Sequence, residues 1–331
     1  MRAVRLHGIR DLRVEDMPPA AAPGPGEITL RVTAAGICGS DLHNFATGAW
    51  ISRAPSVAGH ELTGVVTACG AGADHVEAGD RVLVDSRVVC GTCAACRADL
   101  PQICEALGFV GEVVDGGFAE SVTLPARYIL RAPTGVADRH LAMAEPLAVA
   151  LHALNKLAAP DGAPIAIAGC GAIGGLAALL AHGRGHPLVL IDRSTDRAGL
   201  VSEVTGGAVA TLHSLGPDPV RHAIDATGAT AVIGGLLDAL AGGGGVALVG
   251  IGGTDLQVDP VQLVERETSL IGCHAFGHEL AEVAGLMPQL GAALDLFIDA
   301  EIPLAAVPDA YARHLSGDVA GLKTIVRPDL D

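Results

Sequence analysis

At 331 residues the chain is longer than one typical domain, so two domains are the natural expectation. Apolar residues make up 50% of it, yet no uninterrupted apolar run approaches the ~18 residues of a membrane span, and a membrane partner is not expected. The net charge of −16, from 21 basic residues scattered among 37 acidic ones, argues against nucleic acid and anionic membranes, which need a concentrated positive patch. Met1-Arg2-Ala3-Val4-Arg5 is charged from the start and leads into no hydrophobic signal core, which points to a cytoplasmic protein with reduced cysteines. The 44 glycines accompany Val, Ile, Leu and Ala, and read as turns and close-packed βα junctions.

Residues 1–35 read as short strands broken by a Pro/Ala/Gly stretch. In the second run Ile28, Leu30 and Val32 alternate with Thr29, Arg31 and Thr33, which sends one face inward. Next come Gly36-Ile37-Cys38-Gly39-Ser40-Asp41-Leu42-His43 and, after a loop, Gly59-His60-Glu61. A thiolate, an imidazole and a carboxylate are the ligand types of a catalytic zinc that keeps one position free. Taken alone, Cys38 reads first as a small buried hydrophobe and His60 as a turn histidine.

Strand patterning returns at 62–67 and 81–84 and leads to the most specific local signal in the chain. Cys90, Cys93 and Cys96 stand at three-residue spacing and Cys104 follows eight residues later. Four thiolates so placed predict a closed, structural zinc site, and neither common ferredoxin spacing fits. Gly116-Gly117-Phe118-Ala119-Glu120 follows, then Glu145-Pro146 opens an Ala/Leu-rich helix over 147–157.

The apolar strand 164–168 runs into Gly169-Cys170-Gly171-Ala172-Ile173-Gly174, a helix follows over 176–182, and a second strand ends in Asp192, 21 residues after Gly171. Framed by strand, helix, strand and acid, the glycine triplet predicts dinucleotide binding. The first glycine makes the turn, the second admits a pyrophosphate to the helix N-terminus, and the third lets helix and strand pack closely. Further βα units carry strands near 221–228, 245–251 and 269–274. A late strand in 321–328 is placed to return to the first domain.

Taken in order, GICGSDLH (36–43), GHE (59–61), the four-cysteine lobe (90–104), GGFAE (116–120), EP (145–146), GCGAIG (169–174) and GLKTIVRP (321–328) resemble the zinc-dependent medium-chain alcohol dehydrogenases. Within that family the chain is similar to the polyol and secondary-alcohol branch. The resemblance implies an α/β two-domain protein. Residues 1–147 form a chaperonin-10-like β-domain completed by about 295–331, and 148–294 form a Rossmann domain with a doubly wound parallel sheet.

It further implies two zinc ions, one catalytic and one structural, with NAD as cofactor. Cys38 and His60 become catalytic zinc ligands, and Glu61 and Glu145 compete for the third place. Ser40 takes the alcohol proton, Asp41 orients His60, and His43 is the outer end of the proton relay. The cofactor is expected to meet Gly169, Gly171, Ile173, Gly174, Asp192, Arg193 and Arg197, with Thr227, Val249, Gly250, Ile251, Cys273 and His274 at the ends of later strands. Trp50, Phe109 and Phe276 read equally as pocket walls and as core. The substrate is a small alcohol or polyol, and a homodimer or homotetramer is expected. Rival readings are a non-catalytic NAD-binding zinc protein of the same fold and a zinc-free quinone reductase.

Overall fold

The computed structural model describes residues 1–215, 220–252 and 255–330. They form two compact units, residues 1–145 with 280 onward, and Pro146–Glu279.

Strand Glu27–Gly36 is the axis of the first unit. It pairs antiparallel with Glu61–Cys69 along one edge, and with Ser121–Pro125 and then Lys323–Val326 along the other. The sheet extends through Arg81–Val84 and Ile129–Arg131 on one side and Ile298–Ile302 on the other. Ile28, Leu30 and Val32 are buried and Arg31 is exposed, as period-two alternation requires. Thr33 departs from that pattern and is buried. The register against Glu61–Cys69 shifts between Val32 and Ala34, and from there to Gly36 every residue is covered.

The C-terminal return to this unit begins at residue 280, not near 295. Helix Glu279–Phe297 buries Leu280, Val283, Met287, Leu294 and Phe297, and its Asp295 Oδ1 lies 2.7 Å from both Arg139 Nε and His140 Nε2. By length and composition alone this helix would suffice to cross a membrane, but such a helix is weak evidence for a span, and here one face packs into the protein while Leu296 is exposed.

The second unit is a six-stranded, all-parallel sheet. Its order is Ala208–Ala210, Leu188–Ile191, Ile165–Ala168, His222–Asp225, Gly245–Leu248 and Ser269–Gly272. Numbered within the unit that order is 3-2-1-4-5-6, the doubly wound Rossmann arrangement. Every residue of the central strand Ile165–Ala168 is buried, which explains why it reads as an unbroken apolar run. All six strands point the same way, so the loops after them gather at one edge.

Candidate functional site

In the first unit, helix Gly39–Thr47 starts with Cys38 at its N-cap. Asp41, in the first turn, accepts the Cys38 backbone N–H through Oδ2 at 3.0 Å and holds Oδ1 3.3 Å from His60 Nδ1. One carboxylate thus ties the helix start to the imidazole and leaves Nε2 as the ring nitrogen available to a metal. Burial opposes protonation of His60, but the negative charges of Asp41 and Cys38 outweigh it and hold its pKa well above the usual value. Ser40 is half-buried beside Asp41, and His43 is exposed one turn further along.

Glu61 opens the strand paired with the end of Glu27–Gly36, opposite Gly36. A Cβ at Gly36 would overlap Glu61 Oε2, so this carboxylate needs a glycine beside it. Glu61 is fully buried, and both its oxygens accept from Lys323 Nζ, at 2.7 and 2.8 Å. The same ammonium donates to Ile37 O at 3.0 Å. Burial works against the Lys323 charge, yet Glu61 and Cys38 raise its pKa on balance. The ligand atoms of Cys38, His60 and Glu61 lie within 4.8 Å of one another. Glu145, in the first turn of helix Ala144–Leu157, is buried and accepts the Ser86 hydroxyl through Oε1 at 2.8 Å. Burial and the charge of Glu61 raise its pKa. Sequence reasoning assigned no role to Lys323 or Ser86, and neither stands near its partner in the chain.

The four cysteines form a second cluster. Sulfur separations are 3.6 Å for Cys90–Cys104, 3.9 Å for Cys93–Cys104 and 4.0 Å for Cys90–Cys96. A tetrahedron of sulfurs about 2.3 Å from a central zinc has edges of about 3.8 Å, so this donor set fits that ion closely. Backbone N–H groups of Thr92 and Cys93 donate to Cys90 Sγ, that of Cys96 to Cys93 Sγ, and that of Ala106 to Cys104 Sγ. The N–H groups of Thr92 and Cys93 lower the Cys90 thiol to about 6, whereas burial and the neighbouring sulfurs of Cys93 and Cys104 push Cys96 up to about 12.

At the strand-end edge of the second unit, Gly169 has φ +91° and Gly174 packs so tightly on Gly169 O that no Cβ fits. Gly171 caps helix Ala172–Gly183, and a Cβ there would meet nothing within 4 Å, which leaves the helix start open as an anion cradle. Ile173 is half-buried in the first turn. Asp192 accepts the Cys170 N–H through Oδ2 at 2.6 Å and the Ser194 N–H through Oδ1 at 2.7 Å, and so locks the glycine loop to the end of the second strand. Arg193 is exposed and Arg197 half-buried beside it.

Buried Asp225, absent from the sequence expectations, takes Thr227 Oγ1 at 2.6 Å and the Gly228 N–H at 2.9 Å. The Val249 and Gly250 N–H groups bond Asp225 O, each at 2.9 Å, and Ile251 projects 67% exposed. Burial pushes the Cys273 thiol up to about 11, and His274 follows it. These expected cofactor positions therefore line one edge. Phe276 does not serve as a pocket wall, because it is fully buried in the core. The Phe109 ring lies 6.4 Å from His60 and the Trp50 ring 4.8 Å from His43.

Residues 24–134 match the profile of the alcohol dehydrogenase GroES-like domain. Over 324 residues the chain is 31% identical to the 2-dehydro-3-deoxy-L-galactonate 5-dehydrogenase of Pseudoalteromonas atlantica, a match covering 93% of each. The crystal structure of 2R,3R-butanediol dehydrogenase from Bacillus subtilis superposes with a TM-score of 0.91 at 25% identity over 99% of each chain. A Sinorhizobium meliloti structure described as a zinc-binding dehydrogenase bound to NADP does so with a TM-score of 0.91 at 27% identity, again over 99% of each.

Proposed function

The chain belongs to the zinc-dependent medium-chain alcohol dehydrogenases, in their polyol and secondary-alcohol branch, and from that membership we propose that it moves a hydride between a secondary alcohol or polyol and NAD. The observation that carries this reading is the cluster of half-buried Cys38 with buried His60 and Glu61, in which Asp41 braces His60 and Lys323 holds Glu61, with buried Glu145 held by Ser86.

Cys38, His60 and Glu145 would hold the catalytic zinc, and the four cysteines a structural one. Lys323 engages both oxygens of Glu61. Glu145 gives only one oxygen to Ser86, so it is the better third ligand. When bound, zinc supplies a Lewis acid that makes an alcohol oxygen a stronger acid. Asp41 keeps the His60 ring in one orientation. Ser40 accepts the alcohol proton and passes it outward to His43 and solvent, while the hydride leaves carbon for the nicotinamide. One proton and one hydride thus leave the alcohol and give the carbonyl compound.

Asp192 favours NAD. The two loop N–H groups hold its carboxylate in place, and like charge at short range costs a 2′-phosphate about 1–4 kcal/mol at surface-like dielectric. Initial rates on a panel of polyols, diols, sugar acids and hydroxy amino acids with both cofactors test the whole reading. NAD is expected to exceed NADP by at least about tenfold in kcat/KM, a ratio that Asp192→Ser narrows. Equal or better efficiency with NADP would assign the pocket to Arg193 and Arg197, and no turnover of any alcohol would overturn the function.

Strand Ser269–Gly272 is the outer strand of its sheet, and Val261 and Val264 are exposed on the helix before it. Both features support pairing with a second copy. A dimer or a dimer of dimers is expected in sedimentation at micromolar concentration, and a monomer would rule this out.

A further inference from the structure

Trp50, the chain's one tryptophan, stands in a tight turn after helix Gly39–Thr47. Gly48 caps the helix with a left-handed backbone and donates to Asn44 O at 2.8 Å, and the Ile51 N–H returns to Gly48 O at 3.2 Å. Buried Asn44 takes the Trp50 N–H on Oδ1 at 2.9 Å. Thr47 Oγ1 accepts the Ala49 N–H at 3.2 Å and donates to His43 O at 2.8 Å. These bonds fold the turn back over its own helix, with the indole 4.8 Å from the His43 ring and tilted by 43°.

Trp50 is half-buried, whereas neighbouring Leu42 and Phe45 pack against the main core cluster of this unit. The turn thus holds a large ring against an exposed imidazole. An imidazole on a helix surface otherwise samples several rotamers, and a ring pair at 4.5–7 Å in a tilted geometry favours one of them.

We propose that Trp50 is a positioning residue that holds the His43 ring in the orientation from which His43 passes the proton on. The proposal rests on the reading of His43 as the outer end of the proton path. Losing the ring lets His43 swing away, which lowers turnover but leaves zinc and cofactor affinity alone.

Trp50→Ala, Trp50→Phe, His43→Ala and the Trp50→Ala/His43→Ala double variant of the metal-loaded enzyme test it, with kcat, KM and intrinsic fluorescence measured in each. Trp50→Ala is expected to lower kcat about tenfold at nearly constant KM for NAD, and Trp50→Phe to restore most of it. In the His43→Ala background Trp50→Ala should cost nothing further, because it acts through that ring. His43→Ala should change the emission of Trp50, because it removes the ring that the indole contacts.

Unchanged kcat in Trp50→Ala, or additive losses in the double variant, would overturn the positioning role. An emission profile that His43→Ala does not alter would overturn the ring contact itself. Normal turnover in His43→Ala with its emission change intact would instead strike the proton-path reading, while the contact stands.

Discussion

In the four-cysteine lobe every side chain proposed to hold metal comes from fifteen consecutive residues, and only Cys104 among them is buried. The centre around His60 draws on residues 38, 41, 60, 61, 86, 145 and 323, and His60, Glu61, Glu145 and Lys323 are all buried. The lobe is a loop that, on the proposed reading, would need an ion to hold four sulfurs together, because little apolar surface is available to do so. The other centre is assembled by the sheet. Its strands bring Gly36, Glu61 and Lys323 side by side before any metal arrives. Metal should therefore matter to folding in the first place and to chemistry in the second.

The sharpest break between them comes from Cys93→Ser. Structural zinc sites of this type contribute about 10–16 kcal/mol of apparent binding free energy in small modules, so losing one of four thiolates should unfold the lobe. Soluble yield and Tm are expected to fall, and zinc per chain by one. A Cys93→Ser protein with unchanged Tm would show that the lobe stands without its metal. Cys38→Ser is expected to do the reverse. Turnover should drop at least about a thousandfold, equivalent to about 4 kcal/mol on the barrier, with Tm nearly constant. Normal turnover in that variant would remove Cys38 from the centre. Graded chelation of the unmodified enzyme should follow the same order, with activity lost before the fold.

Lys323→Met probes the assembled centre alone. It leaves the Glu61 carboxylate buried with no counter-charge, and breaking such a pair costs about 3 kcal/mol or more. Denaturant unfolding should show that loss. If Lys323 also keeps Glu61 away from the metal, the variant should retain zinc even when Glu145→Gln is added, because Glu61 is then free to take over. Loss of catalytic zinc from the double variant would mean that Glu61 cannot serve as a ligand.

The same contrast decides what the sequence reveals. The cysteine lobe and the glycine loop are legible because their chemistry depends on spacing within a few residues. Cys38 and His60 become legible through the order of motifs along the chain, since neither residue stands out on its own. The choice between Glu61 and Glu145 is not legible, because Lys323 bears on it from 262 positions away. Thr33 breaks an alternation that only the register shift beside it explains. Phe276 reads equally as pocket wall and as core until its full burial decides for the core. The C-terminal return, expected near 295, begins at 280, where Asp295 meets Arg139 and His140 across a gap of some 155 residues.

The smallest expected effect lies beside the assembled centre, at Glu112. It lines a cavity of about 10 Å³ with Asp41, Asn44, Ala58 and Tyr311, about the space that one water needs. Burial, with some help from the charge of Asp41, pushes its carboxyl up to about 7, while His60 opposes the shift. A carboxyl that ionises near 4.5 in the unfolded chain and near 7 in the folded one favours folding at low pH. That contribution is complete below about 4.5 and fades as the pH rises through about 7, because the folded state then carries a charge it solvates poorly. Glu112→Gln removes the ionisable group but keeps the shape. In metal-free protein the variant should therefore match the parent near pH 4.5 and become the more stable of the two by pH 8, with most of the change between those values. A stability difference that stays the same at pH 5 and pH 8 would mean that the Glu112 carboxyl ionises alike in the folded and unfolded chain. The burial that distinguishes this centre from the lobe would then carry no electrostatic cost at its rim.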